Sequence, residues 1–276
     1  MKKILFSGLA LLALACNNSA ETKKETDMNQ PKLKTEAITY SPEGSKDSLV
    51  LDGYIAWDEN KEGKRPAILV VHEWWGQNEY IRRRVRELAE LGYIAMAVDF
   101  YGNGKRADNP TDAGNLATPF YKDPLMAQQR FDAALAALKK YPQTDPANIA
   151  AIGYCFGGTQ VINMANLGED LKGVVSFHGG LEVVKPEKGK LKAQVLVCHG
   201  AADPFVPQEQ VDKFRQQMDS AGAVYTFKAY EGATHAFSNP DATATGQKFN
   251  IPIAYNAQAD TASWKDMKVF FGTIFK

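Results

Sequence analysis

The sequence predicts an α/β protein with a mostly parallel, doubly wound sheet and an N-terminal antiparallel hairpin. Three observations predict it. Strand-like and helix-like segments alternate from residue 66 onward, the pattern of a sheet covered by helices on both faces. Ala67-Ile68-Leu69-Val70-Val71 is an unbroken apolar run, as required of a strand buried on both faces of a parallel sheet. The longest stretches without periodicity, 99–123 and 238–257, both follow strand ends. They are read as loops, placed where such sheets bind ligands.

Each element has a local reason. Two β-like runs, 35–40 and 49–57, flank Pro42, Gly44 and Asp47, a hairpin signature. The strand at 67–71 follows Pro66. Over 78–91, Ile81, Val85, Leu88 and Leu91 share one helical face, and Gly92 ends the helix. Residues 93–98 form the next strand. A helix over 124–140 turns Ala, Leu and Phe inward. A strand at 149–153 leads into a helix over 156–166. Strands at 173–177, 194–198 and 225–230, with helices over 208–221 and 259–275, complete the pattern. No internal repeat is present.

The length, 276 residues, suits one large domain. Lys plus Arg equals Asp plus Glu, 32 against 32. That balance lacks the basic footprint that a phosphate backbone requires, so no nucleic acid partner is expected. The N-terminus reads as a targeting signal. Lys2 and Lys3 precede an apolar run over 4–15 that is too short to span a bilayer, and small residues lead to Cys16. This resembles a bacterial lipoprotein signal, with residues 1–15 removed and Cys16 lipidated; the alternative is a secretory peptide cut after Ala15 or Ala20. Residues 16–34 are polar and aperiodic, a flexible tether, and 35–276 form the domain. The expectation is therefore an exported, periplasmic or cell-envelope protein with a lipid anchor.

The strongest chemical signal is Gly153-Tyr154-Cys155-Phe156-Gly157-Gly158, between an apolar strand and a helix. Such a Gly-x-nucleophile-x-Gly turn is sharp enough to exclude side chains beside the nucleophile. The helix N-terminus that follows offers free N–H groups to a thiolate and a developing oxyanion. The bland alternative is a structural cysteine on a glycine-rich turn. The second signal is Cys198-His199-Gly200-Ala201-Ala202-Asp203-Pro204, and the third is Thr234-His235-Ala236-Phe237, each at a strand end. Nucleophile, acid and histidine stand in the order used by α/β-hydrolases. Asp203 would orient His235, which would take the thiol proton and return it to the leaving group. The fourth is His72-Glu73-Trp74-Trp75-Gly76, where a buried carboxylate needs a partner or an exit to solvent.

These four segments resemble the dienelactone hydrolase family of the α/β-hydrolase superfamily, from about Thr35 to the C-terminus. The resemblance implies that Cys155 is the nucleophile, His235 the base and Asp203 the orienting acid. It also implies that Glu73 interacts with the resting thiol and that the backbone N–H groups of Trp74 and Phe156 form the oxyanion hole. The expected reaction is hydrolysis of a small ester, lactone or thioester through an acyl-cysteine intermediate, by a monomer without cofactor. The other class considered is a non-catalytic, membrane-tethered binding protein on the same fold. Dienelactone hydrolases hold a substrate carboxylate with two arginines; here those places read Gly102-Asn103 and Ser238-Asn239. Trp75, Tyr101 and Phe237 are expected to line an apolar substrate pocket, with Lys105 and Arg106 near enough to replace a missing arginine.

Other features are read as structural. His72, His178 and His199 are strand-end packing residues. Arg82, Arg83, Arg84 and Arg86 form a solvated helix face, with Arg83–Glu87 and Arg86–Glu90 as i,i+4 pairs. Cys198 is an inert core thiol. No Cys-x-x-Cys or His-Glu-x-x-His occurs, so no metal site is expected.

Overall fold

The computed structural model describes Met1 and residues 30–44 and 49–275. Cys16, the expected signal segment beyond Met1 and most of the tether lie outside the described residues.

The strands are β1 (Leu33–Tyr40), β2 (Leu51–Asp58), β3 (Arg65–Val71), β4 (Ile94–Val98), β5 (Thr144–Tyr154), β6 (Gly173–Phe177), β7 (Gln194–Gly200) and β8 (Tyr225–Tyr230). They form one sheet in the order β1-β2-β4-β3-β5-β6-β7-β8. β1 pairs antiparallel with β2, and β2 antiparallel with β4; all later pairings are parallel. Strand β1 begins at Leu33, two residues inside the segment expected as tether. The Lys32 N–H bonds the Asp58 carboxylate at 2.9 Å and extends the pairing.

The unbroken run in β3 has the predicted meaning. Ala67, Leu69 and Val71 point into one core, Ile68 and Val70 into the other. The first core is closed by α2 (Pro110–Lys122), α3 (Pro124–Lys139), α4 (Phe156–Leu167) and α5 (Gln208–Ala221). The second is closed by α1 (Glu79–Glu90) and α7 (Ala257–Ile274). A short helix, α6 (Ala242–Phe249), lies between β8 and α7.

Two stretches expected as loops contain helices. In 99–123, Asn109 caps α2 by accepting from the Asp112 N–H at 3.0 Å, and Pro110 opens the helix. Gly114 and Pro119 inside it break the apolar rhythm that would have marked it. In 238–257, α6 is two turns long, too short to show a period. Its Gly246 packs against backbone, and a methyl there would meet the Ile253 carbonyl oxygen at 2.5 Å.

The arginine run is only partly solvated. Arg83 pairs with Glu87 at 3.4 Å as expected. Arg86 instead bonds Glu79 and the Tyr54 hydroxyl. Arg84 is buried and bonds Glu87, Asp260 and the Ser238 carbonyl. It falls on the same helical stripe as Tyr80, Ile81 and Leu88, so packing carries its guanidinium inward with partners to match.

Candidate active site

The carboxyl ends of β3, β5, β7 and β8 bring the four sequence signals together. Cys155 sits between β5 and α4 with φ 53° and ψ −115°, a backbone region that costs about 1–3 kcal/mol for a residue with a side chain. The glycines make the turn possible by close approach. A methyl on Gly153 would meet the Gly157 carbonyl oxygen at 2.0 Å, and one on Gly157 would meet the Val71 carbonyl oxygen at 2.3 Å. The Gly157 N–H bonds the His72 carbonyl at 3.0 Å, which anchors the turn to β3.

His235 Nε2 lies 3.1 Å from Cys155 Sγ, and His235 Nδ1 lies 2.8 Å from the Asp203 carboxylate. The other Asp203 oxygen accepts the Phe205 N–H at 2.9 Å, so the acid is oriented from both sides. Burial alone would lower the His235 imidazole. The facing Cys155 and the bond to Asp203 outweigh it and carry the group up to about 10. A proton taken from the thiol is therefore held through neutral pH. Nucleophile, base and acid form one connected Cys-His-Asp triad. Cys198, in contrast, is buried in the second core, and burial pushes its thiol up to about 12.

Trp74 and Phe156 present backbone N–H groups that find no partner among the described residues. Phe156 is the first residue of α4, where helix geometry leaves that donor free. The Tyr101 hydroxyl donates to the Trp74 carbonyl at 2.9 Å and fixes that peptide.

Glu73 is buried, and its carboxylate accepts the Asn239 side-chain N–H at 2.7 Å. The thiol thus bonds His235, while the Glu73 bond goes to Asn239. Burial raises the Glu73 carboxyl; the Asn239 bond and the His235 charge pull it partly back, to about 7.

The triad opens on a cavity of about 600 Å³. Trp74, Trp75, Phe205, Val206, Ile251 and Ile253 supply apolar wall; among the described residues Glu73 and Glu182 are the only acidic side chains that line it, and no Lys or Arg does. Two expected wall residues do not belong to it. Tyr101 is buried behind the Trp74 peptide, and Phe237 is fully buried in the second core, its ring against those of His178 and Tyr230. Tyr121 and Phe205 line the cavity instead, each about half exposed. Tyr121 lies on α2, inside a stretch whose sequence reads as loop; Phe205 stands two residues after Asp203. Asn103 is exposed, and Arg106 lines a separate cavity that shares Trp75. Ser238 and Asn239 turn to buried polar partners. Among the described residues, no cluster of three His, Cys, Asp or Glu side chains could hold a metal ion.

The Glu73 carboxyl is raised by folding, so its proton-bound form favours the folded state. That contribution is complete below the ordinary carboxylate range and is lost as pH rises through about 7. Glu73→Gln carries no charge at any pH. The melting temperature of the variant minus that of wild type should rise between about pH 5 and pH 8, by roughly 3 °C or more. Thermal unfolding at the two pH values checks it, and a difference that stays flat would remove the assignment.

The comparisons with known proteins agree with this geometry. Residues 51–275 match the dienelactone hydrolase family. Protein usf of Aquifex pyrophilus is 32% identical over 224 residues, 77% of this chain and 95% of that protein. A putative carboxymethylenebutenolidase of Aquifex aeolicus is 31% identical over 71% of this chain and 86% of its own length. Among solved structures, a dienelactone hydrolase-like promiscuous phosphotriesterase from metagenomic libraries superposes with a TM-score of 0.81 at 31% identity. That match covers 88% of this chain and 99% of the other. A family match over most of the domain, the shared fold and a Cys155–His235–Asp203 triad at bonding distance lead to one conclusion: the chain belongs to the dienelactone hydrolase family and is a cysteine-dependent hydrolase of esters or lactones.

Proposed function

We propose that this enzyme hydrolyses small uncharged esters and lactones, with the acyl group in the tryptophan-lined cavity. The single observation that carries this reading is the cavity's charge: two glutamates and no lysine or arginine among the described residues, its one imidazolium, His235, being engaged by Cys155 and Asp203. A substrate carboxylate would lose its hydration there without a bidentate arginine to replace it, at a cost of about 1–3 kcal/mol. Apolar and aromatic acyl groups gain by burial against Trp74, Trp75 and Ile253.

The reaction follows from the distances. His235 takes the Cys155 proton across 3.1 Å, and the sulfur adds to the substrate carbonyl carbon. The carbonyl electron pair moves to oxygen, where the Trp74 and Phe156 N–H groups receive the charge. The intermediate collapses, the bond to the leaving oxygen breaks, and the His235 imidazolium protonates that oxygen. Water then loses a proton to His235 and adds to the acyl-cysteine; collapse releases the acid and restores the thiol. Glu73, held by Asn239, lines the same cavity as the thiol; in this reading it is the group that responds when substrate enters.

The protein is exported and anchored through a lipidated Cys16 in this reading, which rests on the basic, apolar and small-residue pattern that ends there. Cys16→Ser should abolish fatty-acid labelling and release the protein from the membrane fraction. Unchanged membrane attachment would refute the anchor.

Cys155→Ala, His235→Ala and Asp203→Asn should each lower kcat by about a thousandfold or more in folded protein, with double variants little worse than singles. Near-native turnover by Cys155→Ala would remove the mechanism. The substrate class is tested separately, by kcat/KM for matched neutral and carboxylate-bearing esters, with a neutral phosphotriester included because the similar metagenomic protein bears that activity in its name. The neutral ester should win by about tenfold or more. Preference for the anion, erased by Arg106→Ala, would overturn the pocket reading.

A further inference from the structure

A buried polar chain runs beneath the triad, and the reaction steps above do not use it. The Cys155 N–H donates to the Phe177 carbonyl at 3.0 Å and also to His178 Nδ1 at 3.1 Å. His178 Nε2 lies 2.7 Å from the Ser238 hydroxyl, which lies 2.8 Å from the Tyr80 hydroxyl. The Ser238 carbonyl accepts from Arg84 at 2.8 Å. All of these side chains are buried.

The bond directions settle the state of His178. Nδ1 accepts the Cys155 N–H, so it carries no proton. Nε2 then bears the hydrogen and donates it to Ser238 Oγ. Burial, followed by the nearby positive charges of His235 and Arg84, keeps this imidazole neutral. Its ring lies edge-on to the His235 ring, with centroids 5.5 Å apart. A second cation at that place would oppose the imidazolium that catalysis forms.

The chain also joins three strained segments. Cys155 (φ 53°) and His178 (φ 43°) both occupy left-handed backbone, as does Ala236 (φ 59°), the residue after the catalytic histidine. Ser238 stands three residues beyond His235, on the loop that carries the base. A single hydroxyl thus ties that loop, through His178, to the backbone nitrogen of the nucleophile.

We propose that Ser238 and His178 are positioning residues, a latch that sets the nucleophile elbow and the histidine loop at their working separation. Neither faces the cavity or touches substrate. The latch acts by holding Sγ and Nε2 in register, where a displacement of about 1 Å is enough to cost on the order of a hundredfold in rate. The proposal rests on the cysteine-hydrolase assignment of the same site.

The test is Ser238→Ala in the full chain, which removes one oxygen and adds nothing. Folding is checked by circular dichroism and thermal unfolding, and turnover is measured with a neutral ester from about pH 5 to 9. The latch requires a fall in kcat of about tenfold or more, with KM within about twofold of wild type. The limb of the kcat/KM profile that reports His235 should move to lower pH, because contact with Cys155 helps to hold that imidazole up, and a merely structural role would not produce that change. Adding Ser238→Ala to His178→Asn should cost less than about twofold beyond His178→Asn alone, because the two residues act as one unit. Native kcat with an unmoved pH profile in Ser238→Ala would overturn the latch. So would a loss that only tracks the unfolded fraction, or independent, multiplying losses in the double variant. Cys155→Ala is assayed alongside. Wild-type turnover by that variant would show that the cysteine assignment had failed and the latch with it, whereas an inactive Cys155→Ala beside an unaffected Ser238→Ala rejects the latch alone.

Discussion

The turn at Cys155 is the constraint on which the rest of the site depends. A residue with a side chain is held at φ 53°, and it stays there only because everything around it has no alternative place to go. Gly153 and Gly157 leave space that a methyl would fill, so the backbone of α4 closes to van der Waals contact with β3 and β5. Gly158 and Gly179 meet in the same way beside Ser176. The consequence is a nucleophile raised above the sheet with a helix N-terminus directly behind it. Strain that would be lost in a flexible loop is preserved by close packing on both faces of the sheet.

Around that turn, polar groups are arranged so that few are left to compete with the reaction. Asp99 shows the economy of the neighbouring loop. Its carboxylate accepts the N–H groups of Asp52, Tyr101, Gly102 and Gly104, which pins the segment that carries Tyr101. Tyr101 in turn holds the Trp74 peptide. Glu73 is given to Asn239, and Asn239 also receives the Asp241 N–H, so the loop after His235 is fastened to the loop after β3. Three separate loops thereby share one rigid frame, and the cavity between them is walled mainly by apolar side chains. A preorganised site of this kind does not need to reorganise its dipoles as charge develops.

Legibility followed periodicity. The strands and helices with strong apolar rhythm were readable within one or two residues over most of the chain, since burial on a fixed period leaves a direct trace in sequence. The helices α2 and α6 left none: one carries Gly114 and Pro119 inside it, the other is eight residues long. Their caps were present, Asn109-Pro110 above all, but a cap marks a possible start and does not prove that a helix continues from it. Arg84 stands in a run of charge that reads as solvated, although its position on the stripe of Ile81 and Leu88 places it inward. The pairing of Arg86 with Glu79 and Tyr54 likewise depended on β2 lying beside α1.

The sequence by itself determined the sheet class, the hydrolase family resemblance and the three members of the triad. It could do so because the elbow needs glycines at fixed offsets and because nucleophile, acid and base follow strand ends in a set order. Tertiary structure decided which side chains face the cavity. Tyr101 and Phe237 flank the chemistry in sequence, yet one is buried behind the Trp74 peptide and the other in the second core, while Tyr121, Phe205 and Ile253 form the wall. It also decided the partners of Glu73, His178 and Ser238, which are up to 166 residues apart in the chain. A hydrogen bond depends on position to a fraction of an ångström, and no local pattern in a chain encodes the distance between segments that only folding brings together.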